Sequence, residues 1–270
     1  MRICTVIFAI VESDTSLLYT LEARLYDIAF SWDTSSEIEW FLERLGDNCA
    51  PVLEPACGSG RFLLGFGRRG IEAVGIDSSP AMTRLALERL QAEDLPGDAF
   101  VTDMTEFSLG RVFGGAICPI DSLAYLHDRQ RLVQHLRCMA RHMRPSSKYL
   151  VQLELRDADD PWRGVRPSVW EHEQDGVRVR TNWRVEDIDL DNGVELHRAT
   201  IECLSGPEKG RVFEEVHRMA AWTPAGWTNA IAETPFRYIA VYDGSEEHHP
   251  ERPIGASGSR LWHELLLRRP

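Results

Sequence analysis

Apolar residues in the first half of the chain follow two alternating periods. Short apolar runs typical of buried strands are separated by segments whose apolar residues recur every three to four positions, as on one face of a helix. The predicted strands are 51–54, 73–77, 99–101, 113–117 and 149–155. Strands regularly separated by helices predict an α/β fold with a doubly wound, mostly parallel sheet.

A different pattern occupies residues 157–222. Residues 177–185 alternate strictly between apolar and polar positions, as a half-buried strand does. Turn-forming residues at 191–193 and 206–207 separate this run from two further apolar runs. Together with residues 168–174, they predict up to four antiparallel strands, inserted after the fifth parallel strand.

The two ends of the chain complete the organisation. Residues 15–45 show helical spacing in two pieces and are rich in aromatic residues, which predicts either packing onto the core or a lid over a ligand. Thr223-Pro224 opens a helix, and closing strands are predicted at 236–242 and 259–267. The predicted units are an N-terminal helical lid (1–45), a sheet-bearing domain (46–156 and 223–270) and an inserted antiparallel sheet (157–222).

The net charge and the positions of the cysteines indicate which partners and which cellular compartment to expect. Against 30 Lys and Arg the chain has 42 Asp and Glu, a net charge of −12, which disfavours nucleic acid or an anionic membrane as partner. The six cysteines are scattered without the spacing of a zinc site, so we expect a reduced, cytoplasmic protein. The apolar run 6–11 is too short to span a membrane. We expect it to be a packing segment or an extension added by the choice of start site, and not a signal peptide.

The stretch from Val52 to Leu64 carries the strongest chemical signal. A strand end, a turn containing Gly58 and Gly60, and a helical segment follow one another, which is the opening of a nucleotide-binding βαβ unit. Leu63 stands where a dinucleotide fingerprint has its third glycine. Glu54 precedes the turn, where a carboxylate suits a cationic amino group better than a pyrophosphate.

Acidic residues also end the next two strands. Asp77 is placed to accept hydrogen bonds from both hydroxyls of a ribose, and Asp103 from the exocyclic amine of an adenine. The alternative is that each carboxylate only caps a turn or a helix. Because doubly wound folds bind ligands at the carboxyl edge of the sheet, their joint position favours ligand binding.

These residues resemble a known family. The segment Glu54-Pro-Ala-Cys-Gly-Ser-Gly60, Asp77 and the step Thr102-Asp103-Met104 are similar to those of class I S-adenosylmethionine-dependent methyltransferases of the small-molecule type. The resemblance covers about residues 15–155 and the closing strands. It implies a seven-stranded, Rossmann-like sheet whose last strand, 259–267, is reversed. The sequence departs from the family's pattern at Phe113-Gly114 and Pro235-Phe236.

The resemblance also implies roles at individual positions. Glu54, Ala56 and Gly58 would line the methionine and ribose parts of the cofactor, with Asp77 on the ribose, and Tyr19 or Tyr26 would hydrogen-bond the cofactor carboxylate or the acceptor. Ser78 and Met82 would flank the adenine, Asp103 and Met104 would bind its edge and face, and Cys118 would offer its backbone. The cofactor-binding residues expected on this basis are Tyr26, Glu54, Ala56, Cys57, Gly58, Gly60, Asp77, Ser78, Met82, Asp103, Met104 and Cys118.

Methyl transfer from a sulfonium is an in-line displacement, so positioning and exclusion of water can supply much of the acceleration. A general base is therefore optional, and His127 and His217 are the candidates, with a structural role as the alternative for each. Residues 118–123 lack the Asp/Asn-Pro-Pro-aromatic signature of enzymes that methylate nucleobase or glutamine amino groups. The insert could roof an acceptor pocket, form a homodimer interface or simply add core.

Taken together, the sequence predicts S-adenosylmethionine-dependent methyl transfer to nitrogen or oxygen of a small-molecule acceptor, with no metal. Two alternatives are an NAD(P)-dependent oxidoreductase on a similar sheet and a non-catalytic module that binds the sulfonium cofactor.

Overall fold

The computed structural model describes residues 6–9, 23–245 and 248–268. Tyr19, the predicted helical residues 15–22 and the loop residues 246–247 lie outside the described residues. In chain order the strands are β1 (Val6–Ala9), β2 (Val52–Pro55), β3 (Ala73–Asp77), β4 (Gly97–Val101), β5 (Phe113–Cys118), β6 (Met143–Gln152), β7 (Ser168–Gln174), β8 (Val177–Asp189), β9 (Val194–Cys203), β10 (Val212–Ala220), β11 (Phe236–Asp243), β12 (Glu251–Arg252) and β13 (Leu261–Leu267). The helices are α1 (Ala23–Ala29), α2 (Ser35–Leu45), α3 (Arg61–Gly67), α4 (Pro80–Ala92), α5 (Arg129–His142) and α6 (Pro224–Ala232), and a 3₁₀ turn covers Ser122–Tyr125.

The larger sheet is the predicted parallel one. Its strand order is β12-β11-β13-β6-β5-β2-β3-β4, and the neighbours from β4 through β6 pair in parallel. Strand β13 runs antiparallel to both β6 and β11, which confirms the reversed last strand. The two-residue edge strand β12 makes the sheet one strand wider than the predicted seven. The fold class is therefore confirmed.

Helices cover both faces of this sheet, as the continuous burial of its central strands requires. Strands β2 and β5 are buried at every position. Side-chain caps fix the starts of three helices. Ser79 caps α4, Asp128 caps α5 and Thr223 caps α6, each accepting a hydrogen bond from a backbone N–H in the first helical turn. In α4 and α6 a proline follows the cap directly, as the sequence predicted.

The smaller sheet has the order β1-β10-β9-β8-β7. Its last four strands are the predicted antiparallel insert, and every second residue of β9 is buried. Strand β1 adds to the free edge of β10 in parallel. Residues 6–9 belong to the apolar run for which the sequence favoured a packing segment or an extended start, and they form this edge strand because β10 offers an unpaired edge with which they can form a ladder.

The two N-terminal helices lie on different sheets. Helix α2 buries Ile38, Phe41 and Leu45 in the core that also contains Val52 and Ile117. Helix α1 packs on the inserted sheet through a separate cluster, in which Leu25 and Ile28 contact residues such as Val179. Within the described ranges, no helix is long and apolar enough to cross a membrane.

Candidate functional site

The turn between β2 and α3 is built from residues in the left-handed backbone region. Ala56, Gly58 and Gly60 have φ of 55°, 53° and 78°. Gly60 lies so close to α4 that an added Cβ would sit 2.9 Å from the Cβ of Ala86. At Gly58 an added Cβ would meet nothing within 4 Å, so only the backbone conformation requires glycine there. The backbone at Gly58 therefore borders open space in which a ligand can approach it.

Asp77 ties this turn to the end of the neighbouring strand β3. Its Oδ2 accepts a hydrogen bond from the Gly58 N–H at 2.8 Å, and its Oδ1 accepts from the Ser79 N–H at 2.8 Å. Burial raises the pKa of the Asp77 carboxyl, while these two bonds act in the opposite direction. Each oxygen keeps a lone pair with which to accept from a diol.

Glu54 lies at the end of β2, on the other side of the turn. It is 2% exposed, and its Oε2 is buried without a hydrogen-bond partner among the described residues. Burial raises the pKa of the carboxyl well above its usual value, the Arg61 charge lowers it, and the Asp77 charge raises it. An unpaired buried carboxylate oxygen is costly, so this position favours a cationic ligand group.

Asp103 follows β4 and makes contacts that sequence reasoning did not anticipate. Its Oδ1 accepts from the backbone and hydroxyl of Thr105, and its Oδ2 pairs with Arg131 at 3.0 Å. Burial alone would raise the pKa of Asp103, but the Thr105 bonds and the Arg131 charge lower it. The carboxylate thus organises a turn, and its role toward an adenine stays a prediction.

Met104 is held in place by a buried histidine. His135 Nδ1 lies 2.8 Å from the Met104 carbonyl, and its Nε2 lies 2.9 Å from the hydroxyl of Tyr149. Because a carbonyl only accepts, Nδ1 carries the proton and Nε2 accepts from the tyrosine. His135 is fully buried, and burial lowers its pKa to about 4.

The buried His135 leads to a prediction for acid stability. The folded chain keeps this imidazole neutral while the unfolded chain takes up a proton below about pH 6.5, so the free energy of unfolding should fall by about 1.4 kcal/mol per pH unit as pH decreases toward 4. Burial lowers the pKa of His217 and His263 to about 4 as well, which adds slopes of the same sign. We expect His135→Gln to flatten the decline, measured by urea unfolding from pH 7 to 4.5. The exposed His248→Gln is the control, and equal slopes for the two variants would contradict the assignment.

The remaining predicted cofactor residues lie along the same carboxyl edge. Ser78 is exposed, and Met82 is buried at 1% with its N–H donating to the cap Ser79. Cys57 is buried at the turn, against Gly75 of β3. Cys118 ends β5, and burial raises the pKa of its thiol. The five described cysteines are free thiols.

Helix α1 reaches the glycine turn through Asp27, a contact that no sequence signal pointed to. This carboxylate is 7% exposed, and its Oδ1 accepts from the Ser59 hydroxyl at 2.6 Å and from Arg89 at 2.6 Å. Since α1 packs on the inserted sheet, Asp27 links that sheet to the turn. Helix α1 therefore contacts the glycine turn, and its role as a lid stays a prediction.

Tyr26 of α1 and Arg61 of α3 both contact the residues that follow α1. Tyr26 is half-buried and stacks on Phe30, with 4.2 Å between ring centroids. Arg61 donates to the Phe30 carbonyl at 3.0 Å, and its guanidinium lies 4.3 Å from the ring centroid of Trp32. Arg61 was missed by sequence reasoning, although its place directly after Gly60 is a signal that it begins a helix at the binding edge.

The two candidate bases occupy different surroundings. His127 is half-buried, after the 3₁₀ turn and directly before the cap of α5. His217 lies on β10, with its Nδ1 3.0 Å from the hydroxyl of Tyr125, and its ring stacks on Trp183. Burial and the charge of His197 lower the pKa of His217 to about 4. Such a weak base favours the structural alternative for His217 and leaves His127 as the better candidate.

A buried ion-pair chain joins the inserted sheet to the loop after β6. Arg156 contacts Glu195 at 2.5 Å and Glu154 at 2.7 Å, and Glu195 accepts from His197 Nε2 at 3.0 Å. Trp183 donates to His197 Nδ1, which fixes the imidazole tautomer. Burial would raise the pKa of Glu195, but the bond with His197 and the charge of Arg156 lower it. Within the described residues, no group of three or more His, Cys, Asp or Glu side chains is arranged to hold a metal ion.

Comparisons with known proteins agree with this geometry. Residues 52–146 match the model of a methyltransferase domain. A dTDP-4-amino-2,3,4,6-tetradeoxy-D-glucose N,N-dimethyltransferase of Saccharopolyspora spinosa is 25% identical over 147 residues, 52% of this chain and 57% of that protein. A dTDP-3-amino-3,4,6-trideoxy-alpha-D-glucopyranose N,N-dimethyltransferase of Streptomyces venezuelae is 26% identical over 44% of this chain and 48% of its own. The chain thus spans about half the length of these curated relatives.

Solved structures resemble the whole molecule. An S-adenosylmethionine-dependent methyltransferase from Clostridium acetobutylicum has a TM-score of 0.72 at 16% identity, covering 92% of this chain and 98% of its own. The sugar N-methyltransferase KedS8 from Streptoalloteichus has a TM-score of 0.70 at 21% identity, covering 100% and 99%. At these identities the likeness establishes the fold, including the inserted sheet. The methyltransferase-domain match over residues 52–146, this fold and the glycine turn with Asp77 are together similar to those of class I S-adenosylmethionine-dependent methyltransferases.

Proposed function

We propose that this chain transfers a methyl group from S-adenosylmethionine to nitrogen of a small-molecule acceptor, with oxygen as the second choice. The observation that carries the proposal is the pair of carboxylates, Glu54 and Asp77, around one glycine turn. Two acidic groups there repel the diphosphate of a nicotinamide dinucleotide, whereas a nucleoside with an amino-acid tail offers them hydroxyls and an ammonium.

The chain's own residues would bind and orient the donor. Asp77 would accept from the ribose hydroxyls, and Gly58 would let the backbone approach the cofactor. Ala56, Cys57 and Gly60 shape the rest of the turn. At the next strand end Ser78, Met82, Asp103 and Met104 would surround the adenine, and Cys118 would contribute its backbone.

The cofactor supplies an activated methyl group on a sulfonium, so the protein's task is to hold the acceptor in line and keep water out. Helix α1, with Tyr26, would close over the site, since Asp27 already connects it to the turn. His127 would accept a proton from the acceptor nitrogen if one must be removed.

An amino sugar is the acceptor class we favour, because both curated relatives are described as N,N-dimethyltransferases of nucleotide-linked amino sugars. The inserted sheet would roof the acceptor pocket. The acidic net charge supports a small molecule over nucleic acid, and the free described cysteines support a reducing, cytoplasmic location. A homodimer through the inserted sheet remains part of the proposal.

The test combines binding and turnover. We expect calorimetry to detect binding of S-adenosylhomocysteine and none of NADH. We expect mass spectrometry to detect successive addition of two methyl groups to a primary amine in a panel of nucleotide-linked amino sugars, simple amines and phenols. Binding of NADH alone would support an oxidoreductase, and cofactor binding without any methylated acceptor would support a non-catalytic module.

A further inference from the structure

A cavity of about 190 Å³ lies at the carboxyl edge of the larger sheet, on the side of β6 away from the glycine turn. Its walls come from the loop after β6, the end of β11 and the segment that leads into β13. In the sheet order these strands lie two to four positions from β2. At about 4.8 Å between neighbouring strands, the cavity is roughly 10–20 Å from the glycine turn. An acceptor that carries a second group beside its reacting amine can reach both places.

Two aspartates in this cavity have loose contacts with the protein. Asp243 Oδ2 lies 3.4 Å from Arg252 Nη1, and Asp157 Oδ2 lies 3.4 Å from Ser257 Oγ. Both distances are longer than a usual hydrogen bond of about 2.7–3.2 Å. A second contact of Asp157 Oδ2, to Arg163 Nη1, is short at 2.6 Å. The two aspartate side chains are 15% and 19% exposed, so they are partly withdrawn from water and keep lone pairs for a further donor.

The charges around the cavity offset one another. Arg163 and Arg252 each pair with one of the two aspartates. Arg156 completes the wall, and its charge is offset by Glu154 and Glu195. An anion in the cavity would meet two carboxylates, and a cation would meet three guanidinium groups. The lining therefore favours a ligand without net charge.

Hydroxyl groups complete the lining, from Ser245, Ser257 and Ser259. Carboxylates accept hydrogen bonds, guanidinium groups donate them and hydroxyls do both, so this wall can satisfy the several hydroxyls of a polyol. We propose that the cavity binds a neutral, hydroxylated sugar ring that is joined to the reacting amino sugar. The volume holds on the order of six water molecules, which suits one such ring better than a nucleotide.

This inference rests on the proposed function and narrows its acceptor class. It favours an amino sugar carried on a second sugar over a nucleotide-linked amino sugar, because Asp157 and Asp243 would repel a diphosphate placed in the cavity.

The experiment measures binding to the cavity without turnover. The full chain is saturated with S-adenosylhomocysteine, and ligand-observed NMR then follows the addition of methyl α-D-glucopyranoside, methyl α-D-galactopyranoside, methyl α-L-rhamnopyranoside or inorganic pyrophosphate. We expect at least one glycoside to bind with a Kd on the order of 1 mM, and pyrophosphate not to bind. Asp243→Ala should weaken the glycoside about 10-fold or more, because it removes a charged acceptor, and should leave the affinity for S-adenosylhomocysteine unchanged.

Two further variants test whether the effect belongs to the Asp243 carboxylate. Asp243→Asn keeps one acceptor oxygen and should retain an intermediate affinity for the glycoside. Asp98→Ala is the matched control, because Asp98 is also half-buried but lies on β4, at the opposite end of the strand order. It should change neither affinity.

The outcomes separate the two proposals. Failure of all three glycosides to bind, or glycoside binding that Asp243→Ala does not change, would overturn the inference and leave the proposed function intact. Equal weakening of the glycoside and S-adenosylhomocysteine by Asp243→Ala would assign Asp243 a structural role and would also overturn it. Pyrophosphate binding that becomes tighter in Asp243→Ala would do the same, because it would assign the cavity to an anionic acceptor. If the wild-type chain does not bind S-adenosylhomocysteine, the proposed function itself fails.

Discussion

Asp77→Ala should weaken the binding of S-adenosylhomocysteine by about 1–3 kcal/mol, or roughly 5- to 150-fold, because it removes the charged group that we propose accepts from two ribose hydroxyls. The structure adds a second contribution. The same carboxylate accepts from the Gly58 and Ser79 N–H groups, so the substitution also loosens the glycine turn. Isothermal calorimetry measures the affinity, and Asp77→Asn, which keeps one acceptor oxygen, should lose less.

The matched control is Asp98→Ala on the neighbouring strand β4. Asp98 lies opposite Val74 near the start of β4, away from the carboxyl ends of the strands where Asp77 lies. Its Oδ1 accepts a hydrogen bond from the Ala99 N–H. We expect the Asp98→Ala variant to bind S-adenosylhomocysteine with the affinity of the wild type. Unchanged affinity in Asp77→Ala would show that the ribose is held elsewhere.

Glu195→Ala is expected to lower the free energy of unfolding by about 2–4 kcal/mol. The side chains of Glu195 and Arg156 are 1% and 4% exposed. Removing Glu195 leaves the buried positive charge of Arg156 without one of its two carboxylate partners. Arg156 retains Glu154 at 2.7 Å, which keeps the loss below that of a complete removal of its partners. Urea unfolding measures the change, and His197 loses the acceptor of its Nε2–H in the same variant.

Glu202→Ala on the same strand β9 is the control. Glu202 pairs with Arg180 at 3.1 Å, but both side chains are more than 40% exposed, and such surface pairs contribute at most about 1 kcal/mol. If both variants lower the free energy of unfolding by the same amount, the buried ion pairs of Arg156 do not hold the inserted sheet to the loop after β6.

Local patterns in the sequence determined the elements and their class. The apolar run that became β3 was predicted at its observed bounds, and Ser79-Pro80 and Thr223-Pro224 were identified as helix starts. These signals are local because burial on both faces, alternation and capping each involve residues within one element. The turn at Gly58 and Gly60 and the acidic strand ends at Asp77 and Asp103 were found for the same reason.

Tertiary structure alone decided which distant groups meet. No periodicity indicates that Asp27 contacts Ser59, that the Arg61 guanidinium lies against Trp32, or that Asp103 already pairs with Thr105 and Arg131. The edge strand β1 depends on an unpaired neighbour far along the chain. The sequence by itself thus determined the fold class and the turn at which we predict that the nucleoside binds. The packing of α1 and the inserted sheet decided the polar contacts around it, because hydrogen bonds and burial depend on which surfaces come together.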